Sequence, residues 1–182
     1  MEIRDTTIQD VLIIEPKVFK DSRGLFFEAW NKENFNNVCN IDVNFVQENQ
    51  STSRLGTLRG LHYQLKRPQG KLVRVSYGKV LDVVVDLRKS SKTYGKNFSI
   101  ELSAESNNQL WIPPGMAHGF LTLSDYAIFN YLTTEYYYPS DEYTIIWNDS
   151  FLNIDWELDG IVPKLSSKDQ MGKMFKESEH YD

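Results

Sequence analysis

The sequence has few of the features that cross-link secreted proteins or anchor membrane proteins. Cys39 is the single cysteine in 182 residues, so no intrachain disulfide and no cysteine-based zinc site can form. No apolar run approaches the ~20 residues that a membrane helix requires. Residues 1–19 lack both a continuous apolar core and a small-residue cleavage site, unlike a signal peptide. We therefore expect a soluble, cytoplasmic protein with no membrane partner.

Positive charge is also scarce. The chain carries 20 lysines and arginines against 25 aspartates and glutamates, a formal net charge of -5. Because nucleic-acid-binding domains usually present a basic footprint, we expect no nucleic-acid partner. The length predicts a single domain over residues 1–182, large enough to fold without metal or disulfide. We expect its charged end, residues 173–182, to be a flexible tail.

Helical periodicity is rare, whereas short apolar or alternating runs recur every 8–12 residues between turn signals. Lys71–Tyr77, Val80–Leu87 and Gln109–Ile112 are examples. About ten such runs predict an all-β sandwich or barrel. Short helices are predicted only at 31–38 and 168–178, the second with a serine, 166 or 167, near its N-cap.

Histidine is scarce too, with three in the chain. Pro113–His118 fits the P-x-G-x-x-H turn of cupins, which are jelly-roll β-barrels. Metal-binding cupins add an H-x-H pair on an earlier strand, but residues 62–64 read His-Tyr-Gln, and His180 lies two residues from the C-terminus. The imidazoles for a metal site are therefore lacking, and a cupin barrel here is predicted to be metal-free.

The remaining question is the role of His62. Strand alternation places Gly60, His62 and Gln64 on one face, which looks more like a pocket wall than a dry core. A core histidine bonded to a backbone carbonyl is the alternative that these residues alone leave open.

Motifs along residues 11–172 resemble the dTDP-4-dehydrorhamnose 3,5-epimerase family, cupin-type epimerases of sugar nucleotides. The matching motifs are Phe19–Glu28, Gln47–Asn49, Leu58–Gln64, Gln69–Lys71, Val80–Arg88, Ile112–Phe120, Tyr131–Pro139 and Leu165–Asp169. The resemblance implies a cupin-type jelly-roll barrel with a few short peripheral helices. It also implies a homodimer in which strands cross between subunits.

The implied reaction needs no cofactor. It inverts C3 and C5 of dTDP-4-dehydro-6-deoxy-D-glucose, giving dTDP-4-dehydro-L-rhamnose in dTDP-L-rhamnose biosynthesis. Four positions match the family's catalytic groups. His62 matches the base, Asp169 its carboxylate partner, Lys71 the cation beside the enolate oxygen, and Tyr131 the acid on the opposite face.

The resemblance also implies a set of substrate contacts. Arg23 and Arg59 match diphosphate-binding arginines, whose forked donors suit phosphate oxygens. The other implied contacts are Glu28, Gln47 and Asn49 around the nucleoside, Tyr137 or Tyr138 stacked on the base, and His118 and Lys168 in the pocket. By strict alternation Arg59 faces away from His62, so a bend or bulge near Gly60 is needed if both line one site.

Three alternatives stay open. A relative that inverts only C3 or only C5 would share most of these motifs, although Tyr131 favours double inversion. A cupin that binds a sugar nucleotide without turnover would not need four catalytic groups. A metal-dependent oxygenase lacks ligands.

Overall fold

A computed structural model describes all of residues 1–182. Thirteen β-strands make up most of the regular structure. They are β1 Glu2–Asp5, β2 Leu12–Glu15, β3 Phe19–Asp21, β4 Gly24–Phe26, β5 Gln47–Arg54, β6 Leu58–Gln64, β7 Lys71–Tyr77, β8 Lys79–Asp86, β9 Asn97–Ser103, β10 Gln109–Ile112, β11 Met116–Thr122, β12 Tyr126–Thr133 and β13 Glu142–Thr144. The α-helices are α1 Lys32–Cys39 and α2 Ser167–Gln170, with 3₁₀ turns at Pro139–Asp141 and Phe175–Glu177.

The strands form two antiparallel sheets and a hairpin. One sheet has the order β1-β2-β10-β7-β12-β5, the other β13-β6-β11-β8-β9, and β3 pairs with β4 alone. Apolar side chains of both sheets, such as Val73, Phe129, Val84 and Phe120, pack into one core between them. This is the predicted all-β, jelly-roll barrel with small helical additions.

A second core covers the outer face of the five-stranded sheet. Trp156 and Phe175, from the C-terminal part of the chain, pack there against Val83 and Leu121. Strand β8 is therefore buried on both faces, which explains its nearly continuous β-branched sequence.

The segment 173–182 differs from the flexible tail that the sequence led us to expect. Phe175 is only 3% exposed. Tyr181 pairs with Arg88 as an isolated bridge, and its hydroxyl donates to the carbonyl of Gln64. The end of the chain is thus packed on the barrel beside β6.

The predicted helix over 168–178 is wrong in its length, because α2 ends at Gln170. A Cβ atom on Gly172 would lie 2.7 Å from the backbone nitrogen of Ile146. The chain leaves the helix there because Lys173 donates its N–H to the carbonyl of Thr144 at 2.9 Å. Close backbone approach at a glycine therefore replaces the helical turn.

The N-terminal helix agrees better with the prediction from the sequence. Helix α1 begins after Asn31, whose side chain accepts from the N–H of Asn34 at 3.1 Å. The β3–β4 hairpin, which ends at Phe26, leaves Phe19 and Phe26 54% and 70% exposed. None of the helices has the length and apolar content that a membrane span requires.

Candidate active site

A cavity of about 360 Å³ opens between the two sheets. Nine of the thirteen predicted site residues line it: Gln47, Asn49, Arg59, His62, Lys71, His118, Tyr131, Tyr137 and Lys168. Asp169 lies directly behind His62, whereas Arg23, Glu28 and Tyr138 lie outside the cavity. The barrel interior therefore brings together all four predicted catalytic groups.

His62 and Asp169 form a hydrogen-bonded pair. The Nε2 atom of His62 lies 2.6 Å from Oδ1 of Asp169, whose side chain is only 4% exposed. The other carboxylate oxygen accepts from the hydroxyl of Ser166 at 2.6 Å. Burial raises the pKa of Asp169, but the hydrogen bonds from His62 and Ser166 outweigh it and lower the pKa to about 2. The carboxylate is charged at neutral pH and holds the imidazole proton on Nε2, which leaves Nδ1 as the basic nitrogen.

Helix α2 positions this carboxylate. Ser166 is the N-cap residue, and its hydroxyl accepts from the N–H of Asp169 at 3.2 Å while donating to the same side chain. The short SSKD motif thus turns the chain and fixes Asp169 against β6.

Strand β6 contains the predicted irregularity. On the neighbouring strand β11, His118 pairs with His62 and Phe120 with Arg59, so Gly60 and Leu61 oppose a single residue. This bulge brings both Arg59 and His62 to the cavity. Gly60 has a φ of 126°, a conformation that favours glycine.

Lys71 and Tyr131 come from the opposite sheet. Lys71 is directly across from Thr133 in the β7–β12 pairing, so Tyr131, two residues earlier, shares its face. Burial lowers the pKa of Lys71 to about 8, opposed by the charges of Asp82 and Glu142. Burial and, secondarily, Glu142 raise the pKa of Tyr131, so the phenol stays protonated at neutral pH.

Asp82, which does not line the cavity but supports His118 from behind, is a residue that sequence reasoning missed. It is fully buried, and its Oδ2 lies 2.9 Å from Nε2 of His118, which makes a second histidine–aspartate pair beside the first. Burial lowers the pKa of His118, although Asp82 opposes this shift. An aspartate inside the apolar run of β8 was the signal that could have identified it.

Glu142 is the second residue missed, and it organises the rim. Its carboxylate accepts from the hydroxyl of Tyr137 at 2.8 Å and pairs with Lys168 at 2.8 Å. Burial raises its pKa, but the hydrogen bonds from Lys168 and Tyr137 outweigh this effect. These contacts tie the loop that carries Tyr137 to α2.

Three predicted contacts lie elsewhere in this chain. Arg23 projects from the β3–β4 hairpin with its side chain 87% exposed and pairs with Asp21 at 2.6 Å. Glu28 accepts from the side-chain amides at 31 and 34, next to α1. Tyr138 packs under the guanidinium of Arg67, 3.7 Å from its ring centroid, so Tyr137 is the tyrosine of this pair that faces the cavity.

No group of three or more histidine, cysteine, aspartate or glutamate side chains could hold a metal ion. Independence from metal remains a prediction that needs its own test.

A jelly-roll barrel with a histidine–aspartate pair on one inner wall and a buried lysine and a tyrosine on the other defines a cupin-type enzyme, one suited to moving protons on a bound substrate. The comparisons with known proteins identify the group within that class. The family model described as dTDP-4-dehydrorhamnose 3,5-epimerase matches residues 5–177, and the chain belongs to this family.

Its relatives match over nearly their full lengths. The chain is 50% identical to the dTDP-4-dehydrorhamnose 3,5-epimerase of Pseudomonas aeruginosa, covering 98% of both chains. It is 52% identical to that of Salmonella typhimurium, covering 93% of this chain and 92% of the other. A crystal structure of the Legionella pneumophila dTDP-6-deoxy-D-glucose-3,5-epimerase, in complex with dTDP-4-keto-L-rhamnose, superposes with a TM-score of 0.93 at 45% identity, over 96% of this chain and 93% of that one.

Proposed function

We propose that the protein catalyses the 3,5-epimerisation of dTDP-4-dehydro-6-deoxy-D-glucose to dTDP-4-dehydro-L-rhamnose, a step of dTDP-L-rhamnose biosynthesis. One observation carries the proposal: the His62–Asp169 pair and Tyr131 project into one cavity from opposite sheets. Inverting a carbon that bears one hydrogen requires a base on one face of the sugar ring and an acid on the other. The family membership of the chain supports the same substrate.

The first step removes a proton next to the C4 ketone. Nδ1 of His62 takes the proton from C3 or C5, and the C–H electrons form a C=C bond as the carbonyl oxygen becomes an oxyanion. Asp169 stabilises the resulting imidazolium, in the manner of other histidine–aspartate pairs. The ammonium of Lys71, buried and with little water to screen it, stabilises the oxyanion.

The second step returns a proton to the other face. Tyr131 donates its phenolic proton to the carbon, the carbonyl re-forms, and the configuration is inverted. His62 is then protonated and Tyr131 ionised, so both must exchange protons with solvent before the second carbon reacts. The partial exposure of His62, 25% of its side chain, allows this exchange.

The remaining cavity residues suit the nucleotide. Arg59 and Lys168 are cations that can pair with the diphosphate. Gln47 donates to the side chain of Asn49 at 2.9 Å, and the pair presents amide groups for the thymine and ribose. Tyr137 offers an aromatic face on which the base can stack.

The proposal includes a homodimer in which the β3–β4 hairpin reaches the partner's cavity. Two observations support it. The hairpin exposes Phe19, Leu25 and Phe26 to solvent by 50% or more, a surface that favours burial. Arg23 and Glu28, the contacts expected for the nucleotide, lie on or beside the same hairpin and outside the cavity of their own chain.

Mixing two inactive variants tests this exchange. His62→Ala keeps an intact hairpin, and Arg23→Ala keeps an intact barrel. If hairpins are exchanged, mixed dimers regain activity, because the barrel with His62 receives the hairpin with Arg23. No recovery after subunit mixing, with dimers confirmed by light scattering, would contradict the exchange.

Proton NMR in deuterated water tests the reaction. EDTA-treated protein is expected to introduce deuterium at both C3 and C5 of the substrate, and His62→Ala to abolish it. Exchange at one carbon would indicate a single-site epimerase, and dTDP binding without exchange would indicate a non-catalytic binding protein. Loss of exchange on EDTA treatment would contradict a metal-free reaction.

A cytoplasmic location is part of the same proposal. The single cysteine, Cys39, is a buried free thiol, which suits a reducing compartment. Fractionation of the source cells with an antibody to the protein tests this.

A further inference from the structure

The loop at Tyr136–Tyr138 forms one wall of the cavity without belonging to a strand or helix. Tyr137 lines the cavity and is 48% exposed. Because loops are more mobile than the strands they connect, the position of this ring depends on contacts that hold its backbone as well as on the bond from its hydroxyl to Glu142. The contacts that hold this backbone lead to Gln64.

Gln64 is a buried glutamine on β6, only 3% exposed, two residues beyond His62. Its side-chain NH₂ donates to the carbonyl of Arg67 at 2.8 Å and to that of Tyr136 at 3.1 Å. Its side-chain oxygen accepts from the N–H of Tyr138 at 2.8 Å. Both donors of the amide and its oxygen are therefore used, all of them on backbone groups.

These bonds bracket Tyr137 on both sides, at the carbonyl before it and the N–H after it. A second glutamine completes the support, because the side-chain oxygen of Gln47 accepts from the N–H of Tyr137 at 3.0 Å. The bond to the carbonyl of Arg67 fixes the neighbouring loop. The guanidinium of Arg67 lies over the ring of Tyr138. The loop is thus attached to β6 by one buried side chain.

We propose that Gln64 is a positioning residue for the nucleotide: it holds the 136–138 backbone so that the Tyr137 ring stays in the cavity wall. The inference rests on the proposed function, in which Tyr137 contacts the base of a dTDP-sugar. Gln64 acts through Tyr137, and none of its side-chain hydrogen bonds reaches His62 or Asp169.

Gln64→Met tests the role, because methionine keeps the length of the side chain and removes all three hydrogen bonds. We expect the Kd for dTDP, measured by calorimetry, and the KM for the dTDP-sugar each to rise about tenfold, within the range that weakening one stacked base produces. The kcat should stay within threefold of wild type. Asn97→Leu is the matched control, since it removes a side-chain bond to the carbonyl of Leu152, away from the cavity, and should leave Kd unchanged.

A double-mutant cycle separates positioning from general destabilisation. In a Tyr137→Ala background, Gln64→Met should change the dTDP Kd less than twofold, because the ring it positions is absent. An unchanged Kd in Gln64→Met, a fall in kcat with constant KM, or an undiminished effect in the Tyr137→Ala background would each overturn the proposal.

Gln64→Glu provides a second readout if the methionine variant does not fold. Its carboxylate keeps the acceptor for Tyr138 but loses both donors, and protonation restores one of them. Relative to wild type, its dTDP affinity should therefore improve as the pH falls from 8 to 5, and a pH-independent ratio would contradict the role. If the wild-type protein neither binds dTDP nor turns over the sugar, the proposed function fails, and the role of Gln64 with it.

Discussion

Replacing Asp169 with asparagine tests the histidine–aspartate pair most directly. The substitution keeps the size of the side chain and removes its charge at 2.6 Å from Nε2 of His62. In the proposed mechanism the carboxylate at this position stabilises the imidazolium that forms when His62 takes a proton, and an amide cannot do so. We expect asparagine to slow proton abstraction while leaving nucleotide binding intact.

The magnitude follows from the pKa of Asp169, which is lowered from 3.8 to about 2. At 1.36 kcal/mol per unit, this shift corresponds to a net preference for the charged form on the order of 2 kcal/mol. Among the contacts that lower this pKa, the hydrogen bond to His62 is the largest and that from Ser166 is smaller, so we assign about tenfold in rate to the interaction with His62. Asparagine also no longer fixes which nitrogen of His62 carries the proton. From the two effects combined, the lost charge interaction and the lost control of the tautomer, we expect kcat to fall about 10²-fold.

Deuterium incorporation at C3 and C5, followed by NMR at saturating substrate, measures this fall directly. Ser166→Ala is the matched control, because it removes one donor to Asp169 and keeps the carboxylate beside His62. It should cost less than fivefold. A kcat for Asp169→Asn within threefold of wild type would refute the reasoning.

Three further predictions concern the other wall of the cavity and the bulge. Because Lys71 has a pKa of about 8 and must be charged to stabilise the oxyanion, activity should decline above about pH 8. The charge of Asp82 raises that pKa, so Asp82→Asn should move the alkaline limb of the kcat–pH profile to lower pH, and a limb that does not move would contradict the coupling. Tyr131→Phe should still exchange deuterium by way of His62 but yield little inverted product, as judged by NMR of the sugar, whereas full inversion would exclude Tyr131 as the acid. Gly60→Ala would place a Cβ atom 2.5 Å from the Cα atom of Gly119 on the paired strand β11. It should lower the free energy of unfolding by about 3 kcal/mol, or Tm by ~9 °C. Gly24→Ala, also at positive φ but in open space, is the control, and an equal loss in both variants would show that the close approach is not the cause.

Local patterns predicted most of the barrel. Strands β7 and β10 have the predicted bounds because Gly78 ends the first and Pro113 the second. Strict alternation places Arg59 and His62 on opposite faces of β6, whereas the resemblance implies that both line one site. This conflict correctly predicted the bulge, which Gly60 permits because it can adopt the irregular backbone.

Local sequence patterns failed where contacts between distant parts of the chain determine the structure. The helix predicted through 178 stops because Gly172 lies against Ile146, a contact that no local pattern encodes. Asp82 and Glu142 were missed because the basic residues they meet, His118 and Lys168, lie 36 and 26 positions away along the chain. Spacing alone does not show which acidic residues meet a cation.

The chemistry of position 64 explains why one strand can serve two parts of the site. Metal-binding cupins carry the second histidine of H-x-H at this position, but a neutral imidazole offers one donor and one acceptor. Holding the carbonyls of Arg67 and Tyr136 and the N–H of Tyr138 requires two donors and an acceptor, which an amide supplies. A histidine could therefore not replace Gln64 without losing at least one of these three hydrogen bonds.

This division of roles makes the two functions separable by mutation. Asp169 acts on proton transfer through His62, and Gln64 acts on the nucleotide through Tyr137, with no hydrogen-bond partner in common. We therefore expect the losses of kcat/KM in Gln64→Met and Asp169→Asn to add in the double variant to within about 0.5 kcal/mol. The first substitution should appear in KM and the second in kcat. A double variant no worse than Asp169→Asn alone would mean that Gln64 also acts through the histidine–aspartate pair.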